Sequence, residues 1–211
     1  MARITAIKIG DIGSDTYLDQ MFQLRARVFC ERLGWNVTIT NGRERDAFDD
    51  LRPAYVIAFD EEDNVVACTR LLPASGPMMV TTVFSKLLGN HALTRECRMV
   101  ESSRFCVDTA ACRPGNGTIH EITRCMFAGI VEWCVINGFG EIVTATDVMV
   151  ERILKRAGWP LDRLGDPCLV GQTLAVAGIL PATQEIFERL RPPGYISEFT
   201  PPMTLRARVR T

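Results

Sequence analysis

Histidine is scarce in this sequence, since His91 and His120 are the only two among 211 residues. The eight cysteines stand singly, and no Cys-x-x-Cys pair occurs. Zinc sites need clustered histidine and cysteine ligands, and a histidine-based triad needs that residue beside its nucleophile. We therefore expect no metal site and no such triad. The thiols, most of them inside apolar stretches, should be reduced and buried, as in cytosolic proteins.

Long apolar runs and an excess of charge are also missing. No stretch of about 18 apolar residues occurs, so no membrane-spanning helix is expected, and residues 1–15 lack the features of a secretory signal. The 24 basic and 25 acidic residues give a net charge of −1. Without a global basic field, we expect no binding to nucleic acid or to an anionic membrane. The sequence predicts a cytoplasmic protein whose charged partners meet local patches.

Hydrophobic periodicity predicts alternating strands and helices. Strands are expected at 4–9, 54–60, 65–73, 97–108, 141–147 and 169–180, and helices at 17–35, 80–88, 118–138, 148–158 and 182–190. Asp147 is placed to cap the helix after it, and polar segment 40–53 is typical of a long surface loop. The order favours an α/β protein, a three-layer α/β/α sandwich with a mixed central sheet. We expect one domain over 1–211, with a tail from about 191 at its periphery.

The strand predicted at 97–108 carries four consecutive polar residues between apolar neighbours, namely Glu101, Ser102, Ser103 and Arg104. In a strand, Glu101 and Ser103 share one face. Two interpretations stay open, a polar face toward solvent or a carboxylate directed into a cleft. The apolar flanks favour burial on both faces, where a charge needs a partner such as an arginine.

Charged residues elsewhere in apolar surroundings are candidates for such partners. They are Arg25, Asp46, Asp49 and Arg70. Each alone is more often a solvated surface charge. Together they are able to form an ion-pair network that lines one site.

Five segments carry a family resemblance: LRARVFCERLGWNV (24–37), ERDAFDDLRPAYVIA (44–58), CTRLLPASGPMMVTTVFSKLL (68–88), VESSRFCVD (100–108) and EIVTATDVMVERILKRAGWP (141–160). Their order is similar to that in acyl-homoserine-lactone synthases, the autoinducer synthases of bacterial quorum sensing. The last two segments most resemble the rhizobial branch. The resemblance implies an acyltransferase with an N-acetyltransferase (GNAT)-like fold.

The resemblance also implies a reaction. Such synthases join an acyl thioester, usually on acyl carrier protein, to the amine of S-adenosylmethionine. They then close the lactone and release methylthioadenosine. S-adenosylmethionine is a substrate here, so no cofactor is expected. A medium-chain acyl group is expected, a 3-oxo group is favoured, and a coenzyme A thioester stays open as the donor.

Roles follow from the resemblance residue by residue. The expected catalytic residues are Glu101 as general base, Ser103 and Arg104. The residues expected on the S-adenosylmethionine side are Arg25, Phe29, Trp35, Asp46, Asp49, Arg70, Arg104 and Phe105, with Trp35 and Phe105 on one wall. Backbone N–H groups beside Glu101 are expected to bind the thioester oxyanion if the strand carries a bulge.

The acyl-chain pocket is expected from a third set of residues, Met79, Phe84, Met126, Thr144, Thr146, Met149 and Leu154. The resemblance assigns Thr146 a hydrogen bond to a 3-oxo group. Each apolar member is more often an ordinary core residue, and the two threonines are as readily explained as ordinary strand residues. Departures from the family at Met78, Val100 and Ser102 affect the expected pocket shape. A basic cluster, Arg152, Lys155 and Arg156, is expected to dock the acidic carrier protein or to be a solvated helix face.

Two other functions stay open. A coenzyme A-dependent N-acyltransferase of the same fold, acting on another amine, requires a glycine-rich pyrophosphate loop before the helix at 118–138. CRPGNG at 112–117 occupies that place, although Cys112 replaces the glutamine or arginine usual there. A ligand-binding sensor without catalysis is the second alternative, and release of methylthioadenosine would eliminate it.

Overall fold

A computed structural model of the chain describes residues 2–93, 97–109 and 119–199. Its strands are β1 (Arg3–Lys8), β2 (Ile39–Thr40), β3 (Arg43–Glu44), β4 (Ala54–Phe59), β5 (Val65–Pro73), β6 (Met99–Val107), β7 (Glu141–Asp147), β8 (Asp162–Arg163), β9 (Cys168–Val170), β10 (Thr173–Pro181) and β11 (Ile196–Ser197). Its helices are α1 (Asp15–Arg25), α2 (Met79–Thr82), α3 (Glu121–Ile136), α4 (Val148–Arg156) and α5 (Gln184–Leu190). A π-helical segment, Ala26–Arg32, continues α1, and 3-10 turns lie at Ala47–Leu51 and Ser85–Leu88.

The described strands build a mixed sheet in the order β11-β1-β4-β5-β6-β7-β10-β8, with β9 also paired to β10. Strands β1, β4, β5 and β6 pair antiparallel in that order. Strand β6 then pairs in parallel with β7, which is antiparallel to β10. Strands β2 and β3 form a separate hairpin. The predicted mixed sheet is confirmed.

Helices cover both faces of this sheet, as strand β4 shows. Its residues are all buried, and successive side chains of a strand point to opposite faces. Tyr55 and Ile57 belong to the apolar cluster that packs against α1. Val56 and Ala58 belong to the cluster formed with α3 and α5. The three-layer α/β/α architecture is therefore also confirmed.

The parallel pair β6–β7 opens part-way along its length. Pairing runs from Met99 with Glu141 to Ser102 with Thr144, although both strands continue, to Val107 and Asp147. Beyond Ser102 the two strands therefore separate, and they leave a cleft inside the sheet. The polar run of β6, residues 101–104, spans the point where the strands part.

Four predicted elements differ in the structure. The helix predicted at 80–88 is the short helix α2 followed by the 3-10 turn Ser85–Leu88. The helix predicted at 17–35 is α1 followed by the π-helical segment. The strand predicted at 169–180 is the hairpin β9–β10, because Gly171 turns the chain with a φ of 61°. The loop predicted at 40–53 contains the hairpin β2–β3 and a 3-10 turn, and both Glu44 and Asp49 are fully buried there. Polar composition does not imply solvent exposure in this segment, because paired charges are able to enter a core.

Several smaller predictions have clear outcomes. The Asp147 side chain accepts a hydrogen bond from the Val150 N–H at 2.7 Å, as expected for a helix cap. The tail from 191 contributes β11, which pairs with β1 at the sheet edge. Cys68, Cys106, Cys125 and Cys134 are buried, as predicted, whereas Cys30 and Cys97 are exposed. Segment 112–117 lies outside the described residues.

Candidate active site

A bulge interrupts β6 at its polar run. Arg70 of β5 pairs with Ser103, whereas Cys68 pairs with Cys106. Two steps along β5 therefore match three steps along β6, which is the geometry of a β-bulge. Arg104 lies in this segment with a φ of 55°, an uncommon conformation for a residue with a side chain. The irregularity that the oxyanion hypothesis requires is thus present.

The Glu101 carboxylate is buried, with 1% of the residue exposed. Its two oxygens accept hydrogen bonds from the backbone N–H groups of Met79, at 2.8 Å, and Val80, at 2.7 Å. Both N–H groups belong to the first turn of α2. Burial raises the pKa of Glu101 and outweighs the opposite effect of these N–H groups and of the Arg70 charge. The partners are therefore backbone donors, where the sequence suggested an arginine.

Three arginines and three carboxylates form a closed network of alternating charge, which we call the charge ring. In order around it lie Arg25, Glu44, Arg104, Asp46, Arg70 and Asp49. Each guanidinium contacts the carboxylate on either side, at distances from 2.5 to 3.1 Å. The ring joins α1, β3, the 3-10 turn, β5 and β6. Its formal charges cancel, which limits the cost of burying them.

Burial and mutual contact act on the pKa values of two members of the ring, Arg25 and Asp49. Arg25 and Asp49 are both fully buried. Burial favours the neutral form of Asp49, but hydrogen bonds and charge from Arg25, together with the charge of Arg70, outweigh it and hold the pKa of Asp49 well below its usual range. Burial opposes the charge of Arg25 too, yet Asp49 and Glu44 raise its pKa. The phenol of Tyr55 also donates to Asp49, at 2.8 Å.

Sequence reasoning missed Glu44 and Tyr55. Glu44 is fully buried and contacts both Arg25 and Arg104. Charge matching gave no signal for Glu44, because Glu101, Asp46 and Asp49 already equal the three candidate arginines in number. Tyr55 gave no signal either, since its sequence context is that of an ordinary strand aromatic.

Two aromatic side chains pack beside the ring. Phe29 comes from the π-helical segment and stacks on Trp35, with ring centroids 5.1 Å apart and planes inclined by 18°. The Arg104 guanidinium lies 5.6 Å from the centroid of Phe29. Phe105 packs elsewhere, 5.4 Å from the ring of Phe127 in α3. Trp35 and Phe105 both border one cavity beside this site, although their rings belong to apolar clusters on opposite faces of the sheet. That they share a wall of the S-adenosylmethionine site stays a prediction.

Two adjoining cavities meet at this site. The inner cavity, of about 260 Å³, lies in the cleft between β6 and β7 and is bordered by Glu101, Ser103 and Phe105. The outer cavity, of about 490 Å³, extends to the β9–β10 turn at Gly171 and Gln172. The walls common to both include Trp35, Met79, Phe84, Arg104 and Thr146. A molecule in one cavity therefore lies next to a molecule in the other.

The remaining predicted residues fall into distinct places. Thr144 and Leu154 line the inner cavity, and the Thr144 hydroxyl donates to the Ser102 carbonyl at 2.8 Å. Met126 is fully buried in the core around α3 and borders neither cavity, and Met149 is 60% exposed and borders neither. Their predicted place in an acyl pocket is therefore corrected. Helical periodicity correctly predicts that Met126 is on the inward face of α3. Its side chain packs in the core there and does not reach the cleft.

Three further expectations concern the basic cluster, metal ions and membrane-spanning helices. Arg152, Lys155 and Arg156 are exposed on α4. Among residues 2–93, 97–109 and 119–199, no group of three or more histidine, cysteine or acidic side chains is arranged to hold a metal ion. None of the helices in the described part of the chain combines the length and the apolar character that a membrane crossing requires.

Comparison with known proteins decides the family. The family model of autoinducer synthases matches residues 11–190. The chain belongs to the autoinducer synthase family. It is 56% identical over 177 residues to a "Probable acyl-homoserine-lactone synthase" of Sinorhizobium fredii, covering 83% of this chain and 85% of that protein. It is 52% identical over 184 residues to an acyl-homoserine-lactone synthase of Rhizobium radiobacter, covering 87% of each. This autoinducer synthase is thus an acyltransferase related to rhizobial enzymes.

Solved structures agree with the fold. The AHL synthase LasI superposes with a TM-score of 0.78 at 26% identity, over 93% of this synthase and 96% of LasI. BjaI, a CoA-dependent acyl-homoserine lactone synthase, superposes with a TM-score of 0.83 at 24% identity, over 99% and 100%. An acyl-CoA N-acyltransferase from Pseudomonas aeruginosa shares the fold at a TM-score of 0.53 and 13% identity, over 84% and 99%. The GNAT-like fold of the synthase is confirmed.

Proposed function

We propose that this synthase transfers a medium-chain acyl group from a thioester to the amine of S-adenosylmethionine, then closes the homoserine lactone and releases methylthioadenosine. The observation that carries the proposal is the buried Glu101 carboxylate at the bulge, where the inner and outer cavities adjoin. Support also comes from BjaI, which has been solved with SAM and isopentyl-CoA. The proposal needs no cofactor, because S-adenosylmethionine is consumed as a substrate.

Glu101 acts as the general base in this proposal. The attacking amine must lose a proton, and a carboxylate within hydrogen-bond reach, or one water away, accepts it. Burial raises the pKa of Glu101, which makes it a stronger base than an exposed carboxylate. The N–H groups of Met79 and Val80 hold both oxygens in place. The base is therefore oriented before substrate binds.

The bulge supplies the second element of the mechanism. Backbone N–H groups at a bulge leave the regular ladder, and β6 has parted from β7 beyond Ser102. N–H groups of this segment are proposed to bind the oxyanion that forms when the amine attacks the thioester carbonyl. Ser103 is held by Arg70, whose Nε–H donates to the hydroxyl at 3.1 Å. This contact ties the bulge to the charge ring.

S-adenosylmethionine is proposed to occupy the outer cavity. Its sulfonium is suited to an aromatic face, and Trp35 borders that cavity. Arg104 lies in the wall between the cavities and is proposed to orient the substrate carboxylate. The charge ring, with Phe29 packed on it, is proposed to hold the N-terminal segment over this substrate. Ring closure then requires little more than proximity, since the sulfonium is an excellent leaving group.

The acyl chain is proposed to occupy the inner cavity, whose walls are largely apolar beyond β6. Phe84, Thr146 and Leu154 contribute to them. Thr146 is proposed to hydrogen-bond a 3-oxo group. The Thr144 hydroxyl proton already engages Ser102, which leaves its oxygen as an acceptor. A 3-oxo oxygen needs a hydrogen-bond donor, and the Thr146 hydroxyl is therefore the better candidate.

Acyl carrier protein is the proposed donor. Arg152, Lys155 and Arg156 expose positive charge on α4, the helix that also lines the inner cavity through Val150, Ile153 and Leu154. An acidic carrier docked there would stand close to the acyl site. A coenzyme A thioester is the alternative donor, favoured by the likeness to BjaI.

The first test is incubation of the purified protein with S-adenosylmethionine and a panel of carrier-protein and coenzyme A thioesters. Methylthioadenosine release and product mass are followed together. Release that depends on the donor, with an acyl-homoserine lactone as product, supports the proposal. If folded protein releases no methylthioadenosine with any donor of the panel, the proposal is rejected and an N-acyltransferase acting on another amine is favoured.

A further inference from the structure

The inner cavity has a measurable depth along β7. Residues two apart on a strand share a face, and Thr146, Thr144 and Ile142 all line this cavity. At about 3.3 Å per residue, the four steps from Thr146 to Ile142 span about 13 Å. The cavity therefore extends backward along β7 from the open end of the cleft.

Strand register places the two ends of this path. Ser102 pairs with Thr144, so the bulge, which begins at Ser103, is level with the Thr146 end. Leu180 of β10 pairs with Ile142, and Leu180 also lines the cavity. An acyl group whose carbonyl lies at the bulge thus points its chain toward Ile142 and Leu180.

Trp159 closes the path at that far end. It lines the inner cavity and is 1% exposed. Its indole N–H donates to the Pro181 carbonyl, next to Leu180, at 2.9 Å. Its ring lies edge-on to Phe127, with centroids 5.7 Å apart and planes inclined by 64°. Fixed by a hydrogen bond and by packing, the indole is a rigid floor.

We propose that Trp159 sets the maximum acyl length of this enzyme. Three to four residues of β7 separate the level of the bulge from Ile142, or about 10 to 13 Å. An extended chain built from bonds of about 1.5 Å advances about 1.25 Å per carbon, so about eight to ten carbons fill the path. This specificity role rests on the proposed function, because it requires that the inner cavity hold the acyl chain.

The test compares product profiles of the Trp159→Leu variant and the unchanged enzyme, with an equimolar mixture of acyl donors from short to long. A smaller side chain deepens the floor, so the ratio of longer to medium-chain lactones should rise about ten-fold or more, the usual discrimination per methylene. Trp133→Leu is the matched control, since Trp133 belongs to the same apolar cluster but does not border the cavity. Its product profile should be unchanged.

Two further variants keep the inference falsifiable if Trp159→Leu does not fold. Trp159→Phe should produce a smaller shift toward longer chains. Ile153→Phe, which adds bulk to a half-buried wall residue of α4, should shift products toward shorter chains. An active, folded Trp159 variant with an unchanged profile would overturn the role of Trp159. Absence of lactone from the unchanged enzyme would instead reject the proposed function, so the two failures are distinguishable.

Discussion

Arg104 and Glu44 are 60 residues apart in the sequence, and the arginine Nε–H donates to the carboxylate at 3.1 Å. This contact connects the bulge of β6 to the hairpin β2–β3. Glu44 also contacts Arg25, the last residue of α1. One buried carboxylate therefore links the N-terminal segment to the strand that carries Glu101. The position of the bulge depends on a network that extends well beyond it.

Removal of the Glu44 charge should weaken the whole fold. In Glu44→Gln, Arg25 and Arg104 each lose an ionic partner, and breaking a buried pair costs about 3 kcal/mol or more in the free energy of unfolding. Denaturant titration measures the loss. Glu188→Gln is the matched control, because its pair with Arg191 is half exposed and is expected to contribute less than about 1 kcal/mol. Equal losses in both variants would show that the charge ring adds no stability.

The lowered pKa of Asp49 predicts a loss of stability in acid. A carboxyl whose pKa in the folded protein lies below its ordinary value of 3.8 stabilises the fold above that value, and the contribution disappears as pH falls through the folded pKa. Asp49→Asn should be less stable at neutral pH and should lose less stability on acidification. Unfolding titrations at several pH values check this. Asp50→Asn, an exposed neighbour, should keep the acid response of the unchanged protein.

Glu101→Gln tests the general base. The amide cannot accept the proton, so turnover should fall by about 100-fold or more, with the folded structure retained. Because burial raises the pKa of Glu101 above 4.5, the rate of the unchanged enzyme should fall as pH drops through that raised value. Glu132→Gln is a control, since Glu132 accepts bonds from Tyr195 and Ser197 and borders neither cavity. Full turnover in Glu101→Gln would reject the assignment.

Charge reversal on α4 tests the proposed docking of the carrier protein. Replacing Arg152, Lys155 and Arg156 with glutamate should raise KM for a carrier-protein thioester, because the new acidic side chains repel the acidic carrier protein. The change of KM with added salt should then have the opposite sign. Methylthioadenosine release measures both effects. Reversal of Arg189 and Arg191, exposed arginines at and after the end of α5, is the control and should leave KM unchanged. If the α4 variant keeps its KM for the carrier protein, docking lies elsewhere.

Local patterns in the sequence determined the elements and the identity of most candidate residues. The apolar runs of β4 and β5, the periodicity of α3 and the cap at Asp147 are local properties, so the sequence alone predicts them. The polar run at 101–104 marked the site for the same reason, because charges between apolar residues require partners. That residues 1–211 form one domain stays a prediction.

Tertiary structure decided what depends on distant pairing. The register between β5 and β6 produces the bulge, and the early end of the β6–β7 pairing opens the inner cavity. Segment 40–53 looked like a surface loop because its composition is polar, yet Glu44 and Asp49 are buried by arginines from other elements. Met126 and Trp159 are both apolar and buried, and only the tertiary packing determines that Trp159 borders the cavity and Met126 does not. Such choices arise from contacts between residues far apart in sequence, which no local pattern encodes.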